Sequence, residues 1–130
     1  MKVAIFGKLS FTQLVKEGFE KLGHTLSTTD PNLIYSNDPS GYKEAIALKE
    51  KYPKVYLILN VLDIPWHHPN IYKQSEFVVK NFLLKANAIT TISFKVKKDL
   101  TYFIDKKTHE KIEVIYNPIK DVYYDEKITK

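Results

Sequence analysis

Runs dominated by apolar residues, VAIFG (3–7), LIYSN (33–37), VYLILN (55–60), ITTIS (89–93) and IEVIY (112–116), recur along the chain, and most are separated by segments of helical periodicity. A strand that is apolar on both faces has to be covered on both, and a helix is the usual connection between parallel neighbours. Together with a short strand HTLST (24–28), the pattern specifies an α/β domain. The expected architecture is a Rossmann-like three-layer sandwich, with helices on both faces of a six-stranded, mostly parallel sheet.

The helices follow from apolar spacing. Leu14, Val15, Gly18, Phe19 and Leu22 fall on one face of the first, and Gly23 stands where a left-handed C-terminal cap belongs. A second helix, SGYKEAIALKEKY, ends because Pro53 keeps Tyr52 out of helical geometry. A third is expected over roughly 72–85, and Val96, Leu100, Phe103 and Ile104 mark a fourth. Only about four residues, including the turn signal Asp30-Pro31-Asn32, link the second strand to the third. That is too few for a helical crossover between parallel neighbours. Either those strands form a hairpin, or the third passes to the far side of the first and gives the order 2-1-3-4-5-6. The second arrangement has a switch point between strands one and three, and ligands of open α/β sheets bind at strand carboxyl ends near such a point. Gly7-Lys8, Asn37-Asp38-Pro39 and the segment from Asp63 to His68 would then share one rim.

Composition narrows the functional classes. A chain of 130 residues, 44% hydrophobic, supports one domain with a real core. It has no Cys, no apolar leader and no run near the roughly 20 residues that span a bilayer, so a cytoplasmic protein is expected. The net charge is +5, and all 20 basic residues are Lys. Without Arg there is no bidentate fork for guanine edges or phosphates, which argues against specific nucleic-acid binding. The turn GKLSFT lacks the Gly-x-Gly-x-x-Gly of a nicotinamide-binding fold, and no cofactor is expected.

The ordered series KVAIFG, KLGHTL, NLIYSN, NVLDIPW, ANAITTISFKVKKDL and IEVIYNPI resembles the N-terminal half of GT-B glycosyltransferases. It is most similar to the large retaining group that includes many polysaccharide and lipid mannosyl- and glucosyltransferases (group 1, or family 4). The resemblance implies a domain over 1–120 that binds a sugar acceptor, with 121–130 as a tail or the start of an interdomain linker. It implies a C-terminal donor-binding domain as partner, in the same longer chain or as a separate subunit, which brings the nucleotide sugar. This chain is not expected to be competent alone.

The resemblance also assigns roles. Gly7 and Lys8 would bring backbone N–H groups and a point charge toward donor phosphates, or simply form a tight turn with a solvated cation. Where the family often has His-Asp, this chain has Leu62-Asp63. Asp63 then serves as acceptor ligand or general base, with His67 or His68 swinging in, or it is a turn former in a domain without catalysis. Trp66 would stack on a sugar face or plug the end of the sheet. Asn37, Asp38, Ser93 and Asn117 complete the expected substrate-binding rim, Ser93 doubling as a helix N-cap. No metal is expected, because neighbouring His side chains diverge and no Cys or spaced third His supports a ligand set. Lys95, Lys97, Lys98, Lys106 and Lys107 surround the fourth helix, and family members face anionic membranes with such surfaces. A non-catalytic or split-subunit interaction module, in peripheral contact with a membrane, is the alternative.

Overall fold

The computed structural model describes residues 1–8 and 11–115. Strand β1 (Lys2–Phe6) leads to helix α1 (Phe11–Lys21), followed by β2 (Thr25–Leu26), β3 (Leu33–Ser36), α2 (Tyr42–Lys51) and β4 (Tyr56–Val61). Then come α3 (Pro69–Tyr72), α4 (Glu76–Lys85), β5 (Ala88–Thr91), α5 (Phe94–Phe103), α6 (Lys106–His109) and β6 (Ile112–Val114), with single turns of 3-10 helix at Pro39–Gly41 and Pro65–His67. The sheet order is 2-1-3-4-5-6, and every pairing is parallel. The hairpin between β2 and β3 is thereby ruled out. Both strands flank β1, and Asn32 fixes the return: its side-chain oxygen accepts from Lys2 N–H at 2.8 Å while its own N–H donates to Lys2 O at 2.8 Å.

Alternation along the strands separates two faces. Ala4, Ile34, Leu57, Leu59, Ile89 and Ile112 point one way, into a core closed by Tyr42, Ala45 and Ile46 of α2, Val79 and Leu83 of α4, and Val96 and Leu100 of α5. On the opposite face α1 lies over β1 and β2, with the Phe19 ring 6.4 Å from that of Tyr35. The resulting three layers are a Rossmann-like sandwich.

Two helical boundaries depart from the sequence reading. The helix expected over 72–85 is broken: Tyr72 ends α3, Lys73 takes the left-handed conformation (φ 52°), and Ser75 caps α4 by accepting from Val78 N–H at 3.3 Å. The break lets Gln74 Nε2 donate to Pro39 O at 2.8 Å, joining the α3–α4 turn to the rim. Leu22, assigned to the apolar face of α1, is 77% exposed because the helix stops at Lys21. Gly23 (φ 89°) does form the left-handed cap, with Gly23 N–H donating to Glu20 O and His24 N–H to Phe19 O. The expected end of the sixth strand at Tyr116, together with Asn117 and the tail 121–130, lies outside the described residues.

Candidate functional site

The carboxyl ends of β1, β3, β4 and β5 meet at one rim, and close backbone packing begins it. Gly7 has φ 135°, and a Cβ there would lie 2.6 Å from Asp38 Oδ2 and 2.8 Å from Thr12 Oγ1. A Cβ on Gly41 would lie 2.6 Å from Gly7 N and 2.8 Å from Phe6 C. Two side-chain-free residues therefore let the β1 and β3 turns touch. Lys8 N–H donates to Ser40 Oγ at 2.9 Å, and Lys8 itself is exposed.

Behind this turn the polar residues are internal. Asn37 and Asp38 are buried, as are Ser36, Asn60 and Thr90. Asp38 accepts from Ser40 N–H at 2.8 Å and from the Ser40 hydroxyl. Asn60 Nδ2 donates to Asn37 O at 2.9 Å, and its Oδ1 accepts from Thr90 Oγ1 at 2.7 Å. Tyr42 OH, also buried, donates to Asn60 O at 2.6 Å. Burial pushes the Tyr42 hydroxyl well above its ordinary pKa, with Asp38 adding to the effect, and burial raises Tyr35 to about 12. Asn37 and Asp38 thus hold β1, β3, β4 and α2 together at the rim.

The loop after β4 divides into an outer and an inner part. Asp63 is on the outside, its side chain 55% exposed, with Oδ2 2.9 Å from His68 Nε2 and Oδ1 accepting from Ile64 N–H at 2.7 Å. Partial burial raises the Asp63 pKa, but the hydrogen bonds from His68 and Ile64 N–H outweigh it and hold the carboxyl below its ordinary value. Lys95, at the start of α5, adds to that field and is itself paired with Asp99 at 2.9 Å. The His68 ring stands edge-on to Tyr72 at 6.5 Å. Burial raises the Tyr72 hydroxyl, and the charges of Asp38 and Asp63 raise it further.

Trp66 turns inward instead, and His67 packs beside it at the surface. Trp66 is half-buried against the core, 5.2 Å from the Phe103 ring and edge-on to it, with Lys80 Nζ 5.9 Å from its centroid. His67 is exposed but its ring lies 5.4 Å from Phe103 and 6.0 Å from Trp66, away from Asp63. Among the described residues no three His, Cys, Asp or Glu side chains converge as metal ligands. Ser93 caps α5 by accepting from Val96 N–H at 3.2 Å.

The structure therefore brings together Asp63 and His68 from the expected set and adds Tyr72, which the sequence reading omitted. The apolar spacing puts Tyr72 at the start of one continuous helix over roughly 72–85, where nothing in the sequence distinguishes it. Chemically, the arrangement offers an ionised carboxylate oriented by an imidazole, beside a phenol and a cation, on an open rim. Such groups bind hydroxyls, and the carboxylate can accept a proton. No family model, no curated protein and no solved structure matches the chain.

Proposed function

We propose that this chain is the acceptor-binding N-terminal domain of a GT-B-type glycosyltransferase, which positions a glycan or lipid-linked acceptor for sugar transfer from a nucleotide sugar held by a second, donor-binding domain. The observation that carries the reading is the Asp63–His68 pair, solvent-accessible on the carboxyl rim one strand away from the β1/β3 switch point. Asp63 is the acceptor-hydroxyl ligand and general base; His68 orients it and favours its charged form. Tyr72 and Ser93 contribute hydroxyls to the same rim. Gly7 and Lys8 close the rim on the donor side, where the exposed Lys8 would meet phosphate as a point charge. Trp66 supports the loop from within through Phe103, and His67 packs edge-on to the same ring from the exposed side.

Titration of the ¹⁵N-labelled domain with simple glycosides tests the binding part of this reading. Millimolar association should shift the amides of Asp63, His68, Tyr72 and Ser93. Shifts absent there, or confined to other surfaces, would remove the acceptor site.

A second reading is favoured by one feature of α5. Phe94 and Tyr102 are 67% and 85% exposed and lie on one stripe with Lys98 between them. Aromatic side chains interleaved with Lys suit contact with an anionic membrane, and Leu62 in place of the family's usual His suits a domain that binds without catalysing. Sedimentation with phosphatidylglycerol vesicles, compared between the wild type and Phe94→Ala/Tyr102→Ala, separates that reading from the first.

A further inference from the structure

Away from the rim, a groove of about 670 Å³ runs between α2 and α4. Both helices follow strands of a parallel sheet and lie side by side on one face, so they run in the same direction. From α2 the groove takes Lys43, Ile46, Ala47 and Glu50, spaced i, i+3, i+4 and i+7, which is one ridge of a helix about 10 Å long. From α4 it takes Val78 and Phe82, one turn apart. Ile46 is buried, Phe82 is half-buried, and Val78 and Ala47 remain exposed, so the bottom is apolar and the upper walls are uncovered.

The two ends differ in charge. At the C-terminal end Lys85 Nζ lies 3.3 Å from Glu50 Oε1, which neutralises both. At the N-terminal end Lys43 and Lys73 have no ion-pair partner among the described residues. The N-terminal dipoles of α2 and α4 add to the positive field there; of the acids in those first turns, Glu76 is paired with Lys80 at 3.2 Å and Glu44 does not line the groove.

We propose that this groove docks an amphipathic helix of a partner protein, apolar along one side and acidic at the end that meets Lys43 and Lys73. Parallel ridges spaced by a helical turn match the grooves of a third helix, and 10 Å of wall accommodates about two of its turns. An open groove of this kind does not enclose most of a small molecule's surface as a small-ligand pocket does. Charge sets the polarity of the occupant, because acids at the Glu50 end would meet a carboxylate already paired, whereas acids at the other end meet Lys43 and Lys73, which pair with no acid among the described residues.

The test uses a synthetic amphipathic helical peptide of roughly 14 residues, long enough for helix formation on the groove, with Leu along one face and Glu at one end. Added to the ¹⁵N-labelled protein, it should shift the amides of Ala47, Val78 and Phe82 and leave those of Asp63 and His68 unmoved, which keeps the result separate from the acceptor site. The variant Lys43→Glu/Lys73→Glu should bind about tenfold more weakly, since each reversal turns an attraction into a repulsion. Val78→Asp, at an exposed position, should abolish binding without changing the unfolding midpoint. Equal affinity for a peptide with Lys in place of Glu, shifts outside the groove, or perturbation of these amides by phosphatidylglycerol vesicles and not by the peptide would each overturn the proposal.

Discussion

Replacing Gly41 by Ala tests the packing that creates the rim. Gly41 has an ordinary backbone conformation (φ −101°), so the effect is one of space and not of dihedral strain. The added Cβ would stand 2.6 Å from Gly7 N, 2.6 Å from Ser36 Oγ and 2.8 Å from Phe6 C. Ser36 Oγ is held by its bond to Asp38 O at 2.8 Å, and the other two atoms are backbone at the end of β1. Relief therefore requires the β1 and β3 turns to separate by several tenths of an ångström. Overpacking a well-packed interior costs about 1–3 kcal/mol, and two backbone collisions put Gly41→Ala near the upper end. With an unfolding entropy of about 2.1 cal/mol/K per residue, 3 kcal/mol lowers the midpoint of a chain this size by roughly 10 °C. Gly18→Ala is the internal control: Gly18 lies within α1 with nothing inside 4 Å of its added Cβ, and helix propensity raises stability by about 0.5–1 kcal/mol. Thermal and urea unfolding followed by circular dichroism give both values. If Gly41→Ala unfolds within about 0.5 kcal/mol of the wild type, the close approach of the two turns is not what holds the rim.

Three further outcomes follow from the same geometry. Asn60→Leu leaves Asn37 O without its donor and Thr90 Oγ1 without its acceptor, and urea unfolding should show a loss of about 2–3 kcal/mol. Ser93→Ala removes the cap on Val96 N–H and should lower stability by about 1 kcal/mol in the same assay. The Asp63 carboxyl, followed by ¹³C chemical shift, should titrate below the ordinary aspartate value of 3.8, and His68→Ala should raise its midpoint. Because the folded pKa is depressed, the pair's contribution is present above 3.8 and is lost as pH falls through the lower folded value. At a side chain 55% exposed that contribution is below about 0.5 kcal/mol, so the shift and not the stability is the readout. A midpoint that His68→Ala leaves unchanged would separate the two residues.

The topology was legible because one connection was too short. Residues between Leu26 and Leu33 could not cross the sheet as a helix, and the all-apolar strands demanded cover on both faces, so the order 2-1-3-4-5-6 was one of two choices. Gly23 was legible because Gly at a helix end has one common use. The break at Lys73 was not, because the left-handed residue is a Lys and the apolar spacing runs through it; Ser75, a good N-cap ahead of Glu76, was the available signal. At the site, residue type alone did not reveal direction. Asn37 and Asp38 look like rim ligands in a loop, yet the tight Gly7–Gly41 contact draws them inward as the links between turns. Neighbouring His67 and His68 diverge, and the path of the loop, which the sequence does not encode locally, decides that His68 reaches Asp63.

The proposed role is tested most directly by sugar transfer in the native polypeptide, immunopurified intact with whatever second domain or subunit accompanies it. Labelled sugar from a nucleotide sugar should be incorporated into a glycan or lipid-linked acceptor, and incorporation should fall about 10²–10⁴-fold when Asp63→Asn removes the carboxylate. Transfer that is absent from every nucleotide sugar, or that is unchanged by Asp63→Asn, would contradict it.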